Sequence, residues 1–347
     1  MHKRWPLVVA LVAVLAVLAA AALWWRATRS SDLERAVALA PPGADRLSWT
    51  DWSAVRSELD ADLSASSGSG KLEDFLDEGF DADLTSTSAL VESAPLLHER
   101  YGFSPADVDW ELFSQSADGA ELILQLPDSA DFDEIGDSLE KLGYERPDDD
   151  EGVWSGGSGL LPDIGPQLTP ELQYVALDAD DHLVRTSDNR AFLEQALDSD
   201  GEQLEGVDDV VAASGEPVSA AIYTGTHACQ ALAMSEADEG DQAQADELIE
   251  EAGEVNPVTG FAMSAQPGGG VRVVLSFESD DQAKTNADSR SALAGGPAPG
   301  QGGDFPDRFL VNSVTADGNL VTLELQPKEG AFVLSDLSTG PVLFATC

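Results

Sequence analysis

One order of elements occurs twice along the 347-residue chain, and it constrains the fold more than any single motif. In the first half, Arg46 to Trp52 reads as a strand and turn running into a helix at Ser53 to Leu59, followed by helical Leu72 to Leu76. In the second, Val218 to Thr226 runs into His227 to Leu232 and then Ala245 to Ala252. A hairpin comes next in each half. Trp110 to Ser114 and Glu121 to Leu126 flank the turn Ala117-Asp118-Gly119, matched by Gly260 to Phe277 turning over Gln266 to Gly270. A polar helix follows, Phe132 to Leu142 against Asp281 to Leu293, and then a last hairpin, Gln173 to Thr186 against Phe309 to Leu325. Phe132, Ile135, Leu139 and Leu142 make one helical stripe that starts near Asp131 and stops at Gly143.

Antiparallel hairpins interleaved with helices predict an α+β fold. The expected form is a duplicated unit of antiparallel β-hairpins with helices packed on one face, preceded by one N-terminal transmembrane helix. Residues 1–30 are the expected membrane anchor, 31–45 a juxtamembrane linker, 46–205 the first α+β repeat and 206–347 the second. The match between halves is one of element order, with little residue identity. Whether the repeats share one sheet is left open by the sequence. Four stretches read as loops: Ser64 to Gly70, Asp148 to Gly159, Glu236 to Gln242 and Gly295 to Asp304.

The anchor expectation rests on Leu7 to Trp25, an unbroken run of Leu, Val, Ala and Trp between Lys3-Arg4 and Arg26. Its length reaches roughly the 30 Å of a bilayer core, and the Trp24-Trp25 pair suits the interface. A cleaved signal peptide is the other reading, with Ala19 to Ala22 or Ala38-Leu39-Ala40 as cutting regions. The formal charge of −46 divides unevenly across this boundary. The first 30 residues carry four basic and no acidic residues, so all 64 acidic residues belong to the body. That charge excludes a nucleic-acid partner, because phosphate contacts need clustered Lys and Arg. The body holds all 12 Phe and four of the 7 Trp of a chain that is 43% hydrophobic, too apolar for a disordered acidic tail. The expected location is the cell membrane, single-pass, with the body on the extracytoplasmic side.

Cys229 and Cys347 are the two cysteines. On the oxidising side of a membrane they predict one disulfide tying down the C-terminus. The competing role, a Cys229 nucleophile activated by His227, needs convergence in space that two positions along an extended segment do not supply.

Ser138-Leu139-Glu140-Lys141, Ser187-Asp188-Asn189 and Lys284-Thr285-Asn286 resemble, in that order, the signature set of the penicillin-recognising serine enzymes. The resemblance implies Ser138 as nucleophile, Lys141 as its proton partner and Ser187 as relay. Against it, Ser138 sits two turns into its helix, Asn286 replaces a glycine, and Lys284 lies in a helix-like stretch. His2, His98, His182 and His227 have no zinc spacing, and His98 reads as a helix-end residue near Gly102. Among the acidic clusters, Asp148 to Glu151, Asp178 to Asp181 and Asp198 to Glu202 lack the ligand spacing of a calcium loop and read as solvated turns. No catalytic, cofactor or metal residue is therefore assigned. Trp49 and Trp52 flank Asp51, a plausible N-cap, and read as core.

As a whole, the leader, the Ala, Asp and Gly richness and the cysteine pair resemble the uncharacterised single-span extracytoplasmic proteins of high-GC Gram-positive bacteria. That resemblance implies a compartment and no mechanism. The leading expectation is a non-enzymatic binding or interaction module of the cell envelope, taking a protein, a glycan or a small ligand, with the membrane as partner through the N-terminal helix. A cell-wall-directed serine hydrolase or transpeptidase is the alternative.

Overall fold

Short polar residues placed just ahead of apolar periods set the helix starts. Ser31 and Glu34 form a reciprocal capping box on α1 (Asp32–Val37). β1 (Arg46–Thr50) runs into α2 (Trp52–Glu58), capped by Asp51. Next come α3 (Ser69–Asp81) and the single turn α4 (Ala94–Leu96), which widens into a π-turn over Leu97–Tyr101 and stops at left-handed Gly102. β2 (Trp110–Gln115) and β3 (Ala120–Gln125) make the first hairpin. α5 (Phe132–Leu142) starts on Asp131 and ends on Gly143 at φ 104°, so both signals in the sequence act as read. β4 (Val153–Ser155) and α6 (Gly157–Ile164) precede the hairpin of β5 (Tyr174–Asp178) and β6 (Leu183–Ser187). α7 (Arg190–Leu197) and α8 (Val207–Ser214) lead to the second half. There β7 (Ser219–Thr224), α9 (Gly225–Ala231) and α10 (Glu239–Ala252) are followed by the β8 (Gly260–Gln266) and β9 (Gly270–Ser276) hairpin. α11 (Asp280–Ala294), β10 (Phe309–Asp317), β11 (Leu320–Pro327) and α12 (Val333–Leu337) complete the chain. The structure, a computed structural model, describes residues 30–149, 152–199, 204 and 206–347.

All eleven strands join one antiparallel sheet in the order β10-β11-β9-β8-β7-β1-β2-β3-β6-β5-β4. Read outward from the central β1/β7 pair, β1-β2-β3-β6-β5 and β7-β8-β9-β11-β10 follow the same connectivity, with β4 as an extra edge strand beside β5. Ser48 faces Ala221 at the middle of that pair.

Two large apolar layers form, one on each side of the sheet. The larger contains Trp52, Phe75, Leu122, Leu139, Phe261, Leu275 and Phe344 beneath α2 to α6 and α9 to α12. The opposite layer holds Leu47, Trp49, Trp110, Ile123 and Ile222 beneath α1 and α8. α7 covers Val153 and Ala176 on that same opposite side. The expectation of helices on one face, led by a transmembrane helix, is thus corrected. Successive residues such as Leu122, Ile123 and Leu124 are all fully buried, and a strand apolar on both sides needs cover on both. No helix among the described residues is long and apolar enough to cross a membrane. The longest, α11, has 15 residues and a polar sequence, short of the roughly 20 apolar residues a span needs. The Leu7 to Trp25 run lies outside the described residues.

Glu121 on β3 and Arg185 on β6 form a buried ion pair at 2.6 Å on the α1 side. The Arg185 guanidinium also donates to the Leu39 and Ala196 carbonyls, tying the end of α1 and α7 to the sheet. Such a pair fixes which elements meet more than it adds net stability.

Candidate functional site

The ends of the β1/β7 pair are built on one hydrogen-bond plan. Asp51 N–H donates to the Val218 carbonyl at 2.8 Å, and Thr224 N–H donates to the Asp45 carbonyl at 3.0 Å. Each of these residues then caps the helix that follows. Asp51 Oδ1 accepts from Ala54 N–H at 2.8 Å, and Thr224 Oγ1 from His227 N–H at 3.4 Å. Asp109 and Thr259 hold the helix starts from the next strands, accepting from Ser53 N–H at 3.0 Å and Gly225 N–H at 3.1 Å.

At the first end the space under α2 is filled. Trp52 is fully buried and its Nε1–H donates to Glu111 Oε2 at 2.8 Å. Glu111, itself fully buried, also accepts from Ser88 Oγ at 2.9 Å and from Ala89 N–H at 2.8 Å. No cation neutralises it among the described residues. Burial pushes its carboxyl up to about 7, against the three donors, which lower it. Burial likewise pushes Asp51 up to about 6.

At the second end a cavity of about 610 Å³ opens, lined among others by Gly43, Asp45, Thr224, Thr226, Cys229 and Thr259. Gly225 lines it where the first end has Trp52. A Cβ on Gly225 would lie 2.4 Å from the Val258 carbonyl oxygen, so backbone approaches backbone directly. Asp45 Oδ1 accepts from Thr224 Oγ1 at 3.3 Å. The walls thus offer one carboxylate and three hydroxyls, suited to a polar ligand held by hydrogen bonds. Beside the cavity, His227 lies edge-on to the Tyr223 ring with centroids 5.0 Å apart, and the Arg46 guanidinium carbon lies 5.8 Å from that ring's centroid. Burial first, then the Arg46 charge, holds the His227 imidazole below its ordinary value.

Cys229 and Cys347 are joined in a disulfide, with Cα atoms 5.3 Å apart. Arg290 reinforces the same tail. Fully buried, it donates to the carbonyls of Phe344 at 3.2 Å, Thr346 at 2.5 Å and Asn256 at 2.8 Å. Burial lowers its guanidinium to about 9.

The motif residues lie apart from this place. Ser138 and Lys141 belong to α5, which packs on the larger apolar layer. Ser187 ends β6 and donates to the Ala120 carbonyl at 2.7 Å, while Asn189 caps α7 on the opposite side of the sheet. Asp188 lies between them at the start of that helix. Lys284 sits on exposed α11 surface within 3.7 Å of Asp281. His98 is placed by its neighbours in the π-turn, with Nε2 2.7 Å from the Ser67 carbonyl and Nδ1 3.0 Å from Ser104 Oγ. Asp178 Oδ1 accepts from the N–H groups of Asp180 and Asp181, closing the turn between β5 and β6. Among the described residues no group of three or more His, Cys, Asp or Glu is arranged to hold a metal ion.

Glu111, Asp45 and Arg46 were not singled out by sequence. Glu111 falls inside the strand expected over Trp110 to Ser114. The available signal was its place in Val108 to Phe113, where every other residue except Asp109 is apolar.

No protein-family model and no curated protein matches the chain. Two solved structures, crystal forms I and III of TP0453, are similar at TM-scores of 0.40 and 0.39 and 9% identity. The alignments cover 90% and 86% of this chain and 98% and 97% of theirs. Likeness at that level carries nothing across in fold or function.

Proposed function

We propose that this protein is a non-enzymatic binding module of the cell envelope, with its body on the extracytoplasmic side, that takes a small polar ligand at the open end of the β1/β7 pair. The observation that carries the reading is the cavity of about 610 Å³ where Asp45, Thr224, Thr226 and Thr259 converge. Its volume falls in the range of small-molecule sites. The disulfide supports the compartment, since such bonds persist where the surroundings are oxidising.

The test is saturation-transfer NMR of the full-length protein against a pool of envelope-derived sugars, amino acids and short peptides. Thr226 is exposed, so Thr226→Trp fills the cavity mouth without touching the core. The expected result is transfer to at least one pool member that Thr226→Trp abolishes. Equal transfer in both proteins would overturn the cavity as the site.

A further inference from the structure

Among the described arginines, Arg46 and Arg146 face a ring rather than a carboxylate or carbonyl, and of the two Arg146 is exposed over Trp154. Arg35, Arg56, Arg185, Arg190, Arg272 and Arg308 each face a carboxylate, as 64 acidic against 18 basic residues would lead one to expect. Arg290 and Arg100 donate to backbone carbonyls. Among the described residues Arg46 meets neither kind of acceptor. Its Nε is buried without a hydrogen-bond partner, and its guanidinium lies over the face of Tyr223. A buried donor left without an acceptor is costly, more so when charged, so such a group is a candidate for an incoming acceptor.

Its position adds a second, independent reason. Arg46 lies between Gln115 and Tyr223 in the sheet register, at the strand end whose preceding residue, Asp45, lines the cavity. His227, one residue beyond the cavity-lining Thr226, completes the group through Tyr223. A guanidinium, an amide and an imidazole grouped at one strand end recognise an oxyanion, whose oxygens accept from the guanidinium fork.

We propose that Arg46, with Gln115 and His227 beside it, binds an oxyanion group of the ligand, a carboxylate or a phosphate. The proposal rests on the cavity reading for where the rest of the ligand lies, but it has its own test. Calorimetric titration of full-length protein with inorganic phosphate, and separately with acetate, gives saturable one-to-one binding of at least one anion. Arg46→Gln weakens that binding by at least about tenfold, as loss of a charge-assisted hydrogen bond requires. Arg46→Lys keeps the charge, loses the fork, and lies between the two. Phosphate alone binding narrows the ligand to phosphorylated compounds, and acetate alone to carboxylates. Absence of saturable heat for both anions, or equal affinity in wild type and Arg46→Gln, overturns the oxyanion site. That result leaves the cavity reading intact, whereas unchanged pool binding in Thr226→Trp overturns the cavity and leaves the oxyanion site standing.

Discussion

The two halves use one backbone plan at the centre of the sheet and fill it in opposite ways. Aligned on the caps Asp51 and Thr224, Trp52 answers to Gly225, Thr50 to Tyr223 and Trp49 to Ile222. Aligned on the first residues of β2 and β8, Trp110 answers to Gly260 and Glu111 to Phe261. The first half therefore packs rings from its helix and strand starts, with Trp49 and Trp110 centroids 5.4 Å apart, and buries a carboxylate under one of them. The second half puts its rings on the strands, Tyr223 stacked on Phe261 at 5.5 Å, and lets main chain approach main chain at glycines. One end closes and the other opens, although the hydrogen bonds that frame them are the same.

The largest effect that can break this comparison comes from removing a ring at the closed end. Trp110 is 3% exposed, and Trp110→Ala leaves a cavity next to Trp49 that the sheet cannot collapse into. The expected loss is about 3–5 kcal/mol in urea denaturation. A loss below about 1 kcal/mol would mean that the helices of that face, rather than the ring pair, hold the first half together.

A smaller effect separates the halves by pH, because Phe261 stands in the second half where Glu111 stands in the first. Glu111 binds its proton more tightly folded than unfolded, so its contribution to stability is present below the ordinary value of 4.5 and is lost as pH rises through about 7. Across that window the loss is of the order of 3 kcal/mol for so buried a group. Burial raises Asp51, Asp83, Asp107 and Asp109 as well, with the same sign. Stability measured from pH 4.5 to 7 should therefore fall in the wild type, and Glu111→Gln should flatten the fall without abolishing it. An unchanged slope in the variant would place the pH dependence elsewhere.

Much of this plan was legible in the sequence, and the illegible part has a physical cause. Hairpins announce themselves by alternation and by turns such as Asp317-Gly318-Asn319, and β10 and β11 meet there. Asp131 and Gly143 bracket α5 because capping is local chemistry. The second layer of helices was not legible. β8 reads Gly-Phe-Ala-Met-Ser-Ala, and an apolar run tells that a strand is buried without telling what covers each side. α1 fell in residues 31–45, expected to connect, and α8 starts on left-handed Gly206, where no polar cap marks it. β4 lay inside an expected loop, since three residues are too few to show a period. The site was harder still. It depends on Asp45, Thr224 and Thr259 meeting across strands, and on an arginine Nε without an acceptor among the described residues, neither of which has a spacing along the chain.

Gly260 gives the finest test of the contrast. A Cβ there would lie 1.9 Å from the Gly206 carbonyl oxygen, and one on Gly206 would lie 1.8 Å from the Thr259 oxygen. The start of α8 thus rests on the start of β8 with no side chain between them, at the position where the first half carries the whole of Trp110. Gly260→Ala must push α8 off the sheet, since backbone cannot rotate away as a side chain can. The expected cost is about 1–3 kcal/mol, with faster amide hydrogen exchange in α8 and unchanged exchange in α5. Gly70→Ala, whose Cβ meets nothing within 4 Å, serves as the control and should stay within about 0.5 kcal/mol of wild type. Leu204, just before α8, lines the cavity, so displacement of α8 should weaken ligand binding as well as stability. If Gly260→Ala is as harmless as Gly70→Ala, α8 is loosely seated and close backbone contact is not what shapes the open end. If it is costly, the glycines do at the second end what the tryptophans do at the first: they set the distance between helix and sheet.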